Sequence, residues 1–98
     1  MRYAIAQDAG AWNVKVWGRL DVNSSPELEK ALEQELDGVT DLTVDLAHVD
    51  YVSSMGLRLL LAWQKRMFKQ GAMHVINVSE EVMTILEETV FTEILDIG

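Results

Sequence analysis

Two adjacent serines, Ser53 and Ser54, precede a strongly apolar run that predicts a helix. A serine just before a helix usually serves only as its cap, whose loss costs about 1 kcal/mol, and Ser54 is the predicted N-cap. A hydroxyl at this position is also a group that a kinase could modify. A phosphoryl group would bring a charge of about −1.5 to −2 to the positive end of the helix dipole. The surrounding residues have to decide between the two interpretations.

The first turn of this helix has no acidic residue to oppose the helix dipole. Glu27 and Glu80-Glu81 fill that place in the other two well-marked helix starts, whereas here the residues are Met55-Gly56-Leu57, followed by Arg58. Free backbone N–H groups at a helix start bind anions, and the glycine has no side chain to block the approach. The sequence therefore predicts that an anion is favoured beside the two serines.

Nucleophilic and metal chemistry find less support. His48 and Asp50 lie near the serines, but the sequence lacks the G-x-S-x-G elbow, and a hydrolase is the least favoured interpretation. Asp45, His48 and Asp50 could be imagined as metal ligands, yet no clear fourth ligand accompanies them, and a polar loop after a strand is far more common. Neither G-x-x-x-x-G-K nor G-x-G-x-x-G occurs, so we expect no cofactor and no nucleotide site, and any kinase must be a partner.

Length and composition predict one folded domain over residues 1–98. Hydrophobic residues make up 49% of the chain, and Gly and Pro are scarce, which suffices for one core. Eight Lys plus Arg stand against 16 Asp plus Glu, and the net charge of −8 argues against a nucleic-acid partner. The chain has no cysteine and no apolar run near the roughly 20 residues of a membrane span, so we expect a cytoplasmic protein without membrane contact.

Residue periodicity predicts the order β-β-α-β-α-β-α with a short last helix. The first two strands are expected to be antiparallel partners joined by a turn at Asp8-Ala9-Gly10. Because helices alternate with the later strands, those strands are expected to be parallel. Ser79 is the predicted cap of the third helix. The predicted strands cover residues 3–6, 11–18, 42–46 and 73–77, and the short last helix contains Phe91, Ile94 and Leu95.

Capping signals mark the first helix. Ser25 precedes Pro26, a residue favoured at the first helical position, and Ser24 with Glu27 has the spacing of a capping box. Gly38 is placed to end this helix in a left-handed conformation.

The second helix is predicted over Leu57–Lys69 and should be largely buried. Its inward arc contains Gly56, Leu59, Leu60, Trp63 and Met67, widened by Leu57, Leu61 and Phe68. The cations form one exposed stripe of Arg58, Lys65, Arg66 and Lys69. Such a stripe is either an ordinary solvated face or a contact surface, and the sequence leaves both open.

Three stretches of the sequence resemble the STAS domain family, and within it the small stand-alone anti-sigma factor antagonists of bacteria. They are Gly18–Leu32 (GRLDVNSSPELEKAL), Leu42–Leu61 (LTVDLAHVDYVSSMGLRLLL) and Met73–Ile97. The resemblance implies a single α/β domain with a mixed sheet of four to five strands and helices packed mainly on one face.

In that family, the serine or threonine at the start of the helix after the third strand is phosphorylated by a partner serine kinase, which is also the anti-sigma factor. The family motif, two polar residues and a small residue before Gly-Leu, places the acceptor at Ser54. Ser53 falls where some members have aspartate, and Met55 where many have serine or alanine. Asp21 matches the aspartate of the family's G-x-L-D motif and would flank the site. The implied partner-binding residues are Asp21, Ser53, Ser54, Met55, Gly56 and Arg58.

The implied function is a partner switch without catalytic activity. The unmodified protein would bind a kinase with the histidine-kinase-like ATPase fold and free what that kinase holds. Phosphorylation would release the protein until a PP2C-like phosphatase resets it. The alternative is a STAS-like scaffold or accessory subunit of a transport or signalling complex, in which Ser54 is only a helix cap.

Overall fold

The computed structural model describes residues 2–33 and 35–97, which form strands and helices in the predicted order. In chain order the elements are β1 (Arg2–Asp8), β2 (Ala11–Leu20), α1 (Ser24–Leu32), β3 (Asp41–Val52), α2 (Ser54–Gln70), β4 (Ala72–Ile76) and α3 (Glu80–Glu88). A 3-10 turn, Phe91–Glu93, takes the place of the predicted last helix. Val90 before it has a left-handed backbone (φ 55), which ends the helical path of α3.

The strands form one mixed sheet in the order β1-β2-β3-β4. The β1–β2 pair is antiparallel and the β2–β3 and β3–β4 pairs are parallel, as predicted. Ala9 (φ 48) and Gly10 (φ 90) make the tight turn between β1 and β2. Ile97 forms an isolated parallel bridge with Val75 of β4, on the edge of the sheet next to β4.

One face of the sheet carries the core and the helices. Trp12, Val14 and Val16 of β2 are buried, whereas Lys15 between them is exposed. Such alternation places every second side chain on the helix-covered face. The α/β fold with helices on one face is therefore confirmed. The helices contribute buried side chains to this core: Leu28 and Leu32 from α1, Leu59, Leu60, Trp63 and Met67 from α2, and Val82 and Leu86 from α3.

The third strand is longer than predicted. The prediction of a polar loop after residue 46 is wrong, because these residues continue the strand. β3 continues to Val52 because its second half pairs with the second half of β2, from Trp17 to Leu20. Asp45, in the first half of β3, is buried and accepts hydrogen bonds from Ala47 N at 3.0 Å and Asn77 Nδ2 at 3.2 Å. The part of the chain described here contains no cluster of three or more potential metal-ligating side chains.

Trp17 lies half-buried on the open face of the sheet, between two neighbours. The guanidinium carbon of Arg2 lies 4.8 Å from its ring centroid, and the ring of His48 stacks on it at 5.7 Å. The three residues belong to three adjacent strands, so this stack ties β1, β2 and β3 together on the side that lacks helices.

The first helix begins and ends earlier than predicted. Its N-cap is Asn23, which makes no side-chain capping bond, so the capping box of Ser24 with Glu27 is wrong. The helix ends at Leu32, and Gly38, although left-handed as predicted (φ 81), lies in the following turn. Gln34, which the predicted helix would include, lies outside the described residues.

The second helix has the predicted inward face, with two corrections at its C-terminal half. Phe68 was expected to widen the buried arc, but 83% of it is exposed. Arg66 does not belong to an exposed stripe, because its guanidinium bonds the Glu33 carbonyl oxygen and the Asp37 carboxylate. Arg58, Lys65 and Lys69 are the exposed cations of α2. No described helix combines the length and apolar character needed to cross a membrane.

Candidate functional site

The two serines have different roles at the start of α2. Ser53 is the N-cap: its backbone is extended (φ −82, ψ 178), and its Oγ accepts a hydrogen bond from Gly56 N at 3.3 Å. Ser53 is only 8% exposed. Ser54 is the first helical residue and is exposed. The prediction that Ser54 caps the helix is therefore wrong by one residue.

This division makes Ser54 the available hydroxyl. Ser53 Oγ is occupied by the capping bond and lies under the surface, whereas Ser54 Oγ has no hydrogen-bond partner in residues 2–33 and 35–97. Within the same described residues, the N–H groups of Ser54 and Met55 are also unbonded. These are the N–H groups that a helix start offers to an anion.

Stability measurements should separate the two serines. Ser53→Ala removes the oxygen that satisfies Gly56 N, so we expect the free energy of unfolding to fall by about 1 kcal/mol. Ser54→Ala removes an exposed hydroxyl without a partner and should change that free energy by less than about 0.5 kcal/mol. Urea denaturation followed by circular dichroism measures both variants. A loss for Ser54→Ala equal to that for Ser53→Ala would contradict this assignment.

Gly56 is a packing residue. A Cβ at this position would lie 2.6 Å from the Leu20 carbonyl oxygen and 2.7 Å from Val52 Cγ1. The missing side chain thus lets α2 approach the ends of β2 and β3. The expectation that Gly56 leaves room for an anion is wrong, because Leu20 and Val52 occupy that space.

Asp21 lies at the neighbouring strand end. Ser53 N donates a hydrogen bond of 2.8 Å to the carbonyl oxygen of Leu20, which joins the start of α2 to the end of β2. The Asp21 carboxylate accepts hydrogen bonds of 2.9 Å from Ser24 N and from Asn23 N. It therefore satisfies the first N–H groups of α1, the task that the sequence assigned to Ser24. Aspartate side chains often accept hydrogen bonds from the backbone N–H groups two or three residues later, so Asp21 just before a predicted helix could have indicated this role.

These hydrogen bonds should appear in the titration of Asp21. The backbone N–H groups of Ser24 and Asn23 lower the pKa of the carboxyl below its ordinary value of 3.8. A lowered pKa in the folded state means that the contribution to stability is present above pH 3.8 and is lost as the pH falls through the folded pKa. An NMR titration of the carboxyl carbon should give a midpoint below 3.8. A midpoint at or above that value would contradict the capping role.

The comparisons with known proteins agree with this architecture. The family model described as "Mlab, STAS domain" matches residues 3–96. The chain belongs to the STAS family. A curated relative, the anti-sigma-B factor antagonist of Staphylococcus aureus, is 32% identical over 89 residues, which are 89% of this chain and 82% of the relative. The resemblance noted from the sequence is thereby confirmed.

Two solved structures share the fold of this STAS domain. An anti-sigma factor antagonist from Mycobacterium paratuberculosis superposes with a TM-score of 0.87 over 98% of this chain and 83% of its own, at 23% identity. The Bacillus cell fate determinant SpoIIAA, in its phosphorylated form, superposes with a TM-score of 0.76 over 99% of this chain and 91% of its own, at 12% identity. At these identities the likeness concerns the fold.

The charged residue that follows Ser54 on α2 of this STAS domain is the cation Arg58. The first turn of α2 contains no acidic residue, as predicted. Arg58 is exposed and follows Ser54 by four residues, the spacing at which helical side chains meet. Met55 is half-buried beside them. An anion on Ser54 would therefore meet the helix dipole and one cation.

Two hollows flank this surface on the STAS domain. A hollow of about 270 Å³ lies between α1 and α2, next to Met55 and Arg58. Another, of about 370 Å³, lies beside Asp21 at the start of α1. The α1 residues that line the first hollow were missed from the sequence, because helical periodicity does not say which two helices lie side by side. They are Pro26, Glu29, Lys30 and Glu33.

Five of the six predicted residues lie at the start of α2, and Asp21 follows Leu20, whose carbonyl oxygen accepts the hydrogen bond from Ser53 N; the six differ in exposure. Ser54 and Arg58 are exposed, and Met55 and Asp21 are half-buried. Ser53 and Gly56 are buried, so they shape the site from beneath through capping and close packing.

Proposed function

We propose that this STAS protein is an anti-sigma factor antagonist controlled by phosphorylation of Ser54. Its unmodified form would bind, in the cytoplasm, a serine kinase that is also the anti-sigma factor, and it would have no catalytic activity of its own. The observation that carries the proposal is the exposed hydroxyl of Ser54 at a helix start without a first-turn acid. The name of the Staphylococcus aureus relative supports the partner class.

The chemistry is phosphoryl transfer from ATP bound to the kinase. Ser54 Oγ forms a bond to the γ-phosphorus of ATP, the bond from that phosphorus to the β,γ-bridging oxygen breaks, and ADP leaves. The hydroxyl proton passes to a base of the kinase. A PP2C-like phosphatase would reverse the modification by hydrolysis. The likeness in fold to a protein solved in a phosphorylated form is consistent with this step.

The added phosphoryl group would change the contact surface in two ways. It would add about −1.5 to −2 charges at a position that carries only a neutral hydroxyl, so a partner packed there would have to desolvate a dianion. It can also pair with Arg58 one turn later, which removes that exposed cation from the partner's reach.

The test is to map the phosphate. The protein is incubated with its anti-sigma kinase and ATP, and the product is analysed by peptide mass spectrometry. We expect one phosphate, on Ser54, none on Ser54→Ala, and normal modification of Thr84→Ala, which removes an exposed hydroxyl of α3 and serves as the control. Phosphate on another residue, or none on the wild type while the kinase still binds, would favour a permanent scaffold in which Ser54 is not modified.

A further inference from the structure

A hollow of about 740 Å³ lies along the C-terminal half of α2, where α2 faces the segment after the 3-10 turn. We call it the α2 groove and define it by Leu61, Lys65, Phe68, Lys69 and Ile94, which line it. None of the site residues described above belongs to it. It begins at Leu61, about 10 Å along the helix axis from Ser54, and Phe68 lies about 21 Å from Ser54 at the usual rise per residue.

The α2 groove exposes large apolar side chains. Phe68 is 83% exposed and Ile94 is 44% exposed, and they lie against the same hollow. The core does not require an apolar side chain at position 68, because Met67 and not Phe68 is the buried residue there. Exposed aromatic surface bordered by polar groups is typical of a protein contact site.

The charges on the groove rim are unusual for this chain. Lys65 and Lys69 are exposed, and neither forms an ion pair within the described residues. The sequence from Tyr51 to Ser79 carries a charge of +4 and no acid, so the rest of the chain carries −12. The α2 groove is thus an apolar surface with a positive rim on an otherwise acidic protein.

We propose that the α2 groove docks an acidic amphipathic segment of a partner protein. An apolar side chain of that segment would lie in the hollow against Phe68 and Ile94, and its carboxylates would meet Lys65 and Lys69. This surface is independent of Ser54, so a partner docked here can stay bound in either state of the switch.

Charge and shape select this occupant over two others. A second copy that used the same face would bring the lysine pairs of both copies together, which is repulsive. An anionic membrane would also be attracted by the two lysines, but a concave surface suits a single inserted side chain better than a bilayer.

The test uses a synthetic helical peptide with leucines at i, i+3, i+4 and i+7 and glutamates between them. Titration into the ¹⁵N-labelled protein should shift amide resonances of residues 61–69 and 94. A peptide of the same composition in scrambled order has no apolar face, and its dissociation constant should be at least about tenfold higher.

Variants of the groove residues test whether the α2 groove binds the peptide. Phe68→Ser and the double variant Lys65→Glu, Lys69→Glu should each raise the dissociation constant at least about tenfold, and 0.5 M salt should do the same. Lys15→Glu, which reverses an exposed cation on the open sheet face, is the control and should bind as the wild type. Equal shifts by both peptides, shifts elsewhere, or binding to phosphatidylserine vesicles without peptide binding would overturn the proposal. Self-association through this face in sedimentation would also overturn it.

Discussion

Replacing Gly56 by alanine is expected to lower the free energy of unfolding by about 2 kcal/mol. The new Cβ would lie 2.6 Å from the Leu20 carbonyl oxygen, a backbone atom that belongs to β2 and cannot rotate away. Overpacking of this kind costs about 1–3 kcal/mol, and the contact with fixed backbone places it at the upper end. The higher helix propensity of alanine returns only about 1 kcal/mol. The steric term therefore dominates.

Urea denaturation of Gly56→Ala measures this effect directly, with Ser54→Ala as the control two residues earlier on the same helix. The control should unfold with the wild-type midpoint, since Ser54 is exposed. A Gly56→Ala variant as stable as the wild type would show that α2 can move away from Leu20. In that case Gly56 would not be what sets the position of Ser54.

Ser54→Glu is expected to weaken binding to the anti-sigma kinase at least about tenfold, while Ser54→Gln changes it by less than about threefold. The two side chains have nearly the same shape, so the difference isolates the charge. The negative charge at the first helical position should also stabilise α2 by about 0.3–1 kcal/mol, because it opposes the helix dipole. If Ser54→Glu is more stable than the wild type and still binds the kinase more weakly, unfolding cannot explain the weaker binding.

Fluorescence anisotropy with labelled kinase gives the affinities, and thermal denaturation gives the stabilities. Equal affinities of the Glu and Gln variants would indicate that size rather than charge controls the contact. Arg58→Ala, which removes the cation one turn away, should reduce the stabilisation by Glu.

Local periodicity made most of the fold predictable. The inward face of α2 and the cap of α3 follow from residues close in the sequence, and Ser79 Oγ does accept a hydrogen bond from Val82 N at 3.3 Å. The tight turn at Ala9 and Gly10 was predictable for the same reason. The length of β3 was not, because its second half is held by pairing with β2, a contact between distant parts of the chain.

The sequence drew attention to the start of α2, but it could not predict what each residue there contacts. Spacing alone could not distinguish Ser53 from Ser54 as the cap, because the extended backbone at Ser53 fixes where α2 begins. The role of Gly56 depends on its contact with Leu20, and Arg66 pairs with Asp37, which is distant in the sequence. The exposure of Phe68 likewise depends on which elements cover α2, and this requires the tertiary structure.

Isothermal titration calorimetry with stoichiometrically phosphorylated protein measures whether a phosphoryl group on Ser54 releases the partner. Unmodified and phosphorylated protein are each titrated with the anti-sigma kinase in the absence of ATP. We expect a dissociation constant at least about 100-fold higher for the phosphorylated form, equivalent to about 2.7 kcal/mol. Dissociation constants within about threefold of each other would contradict it.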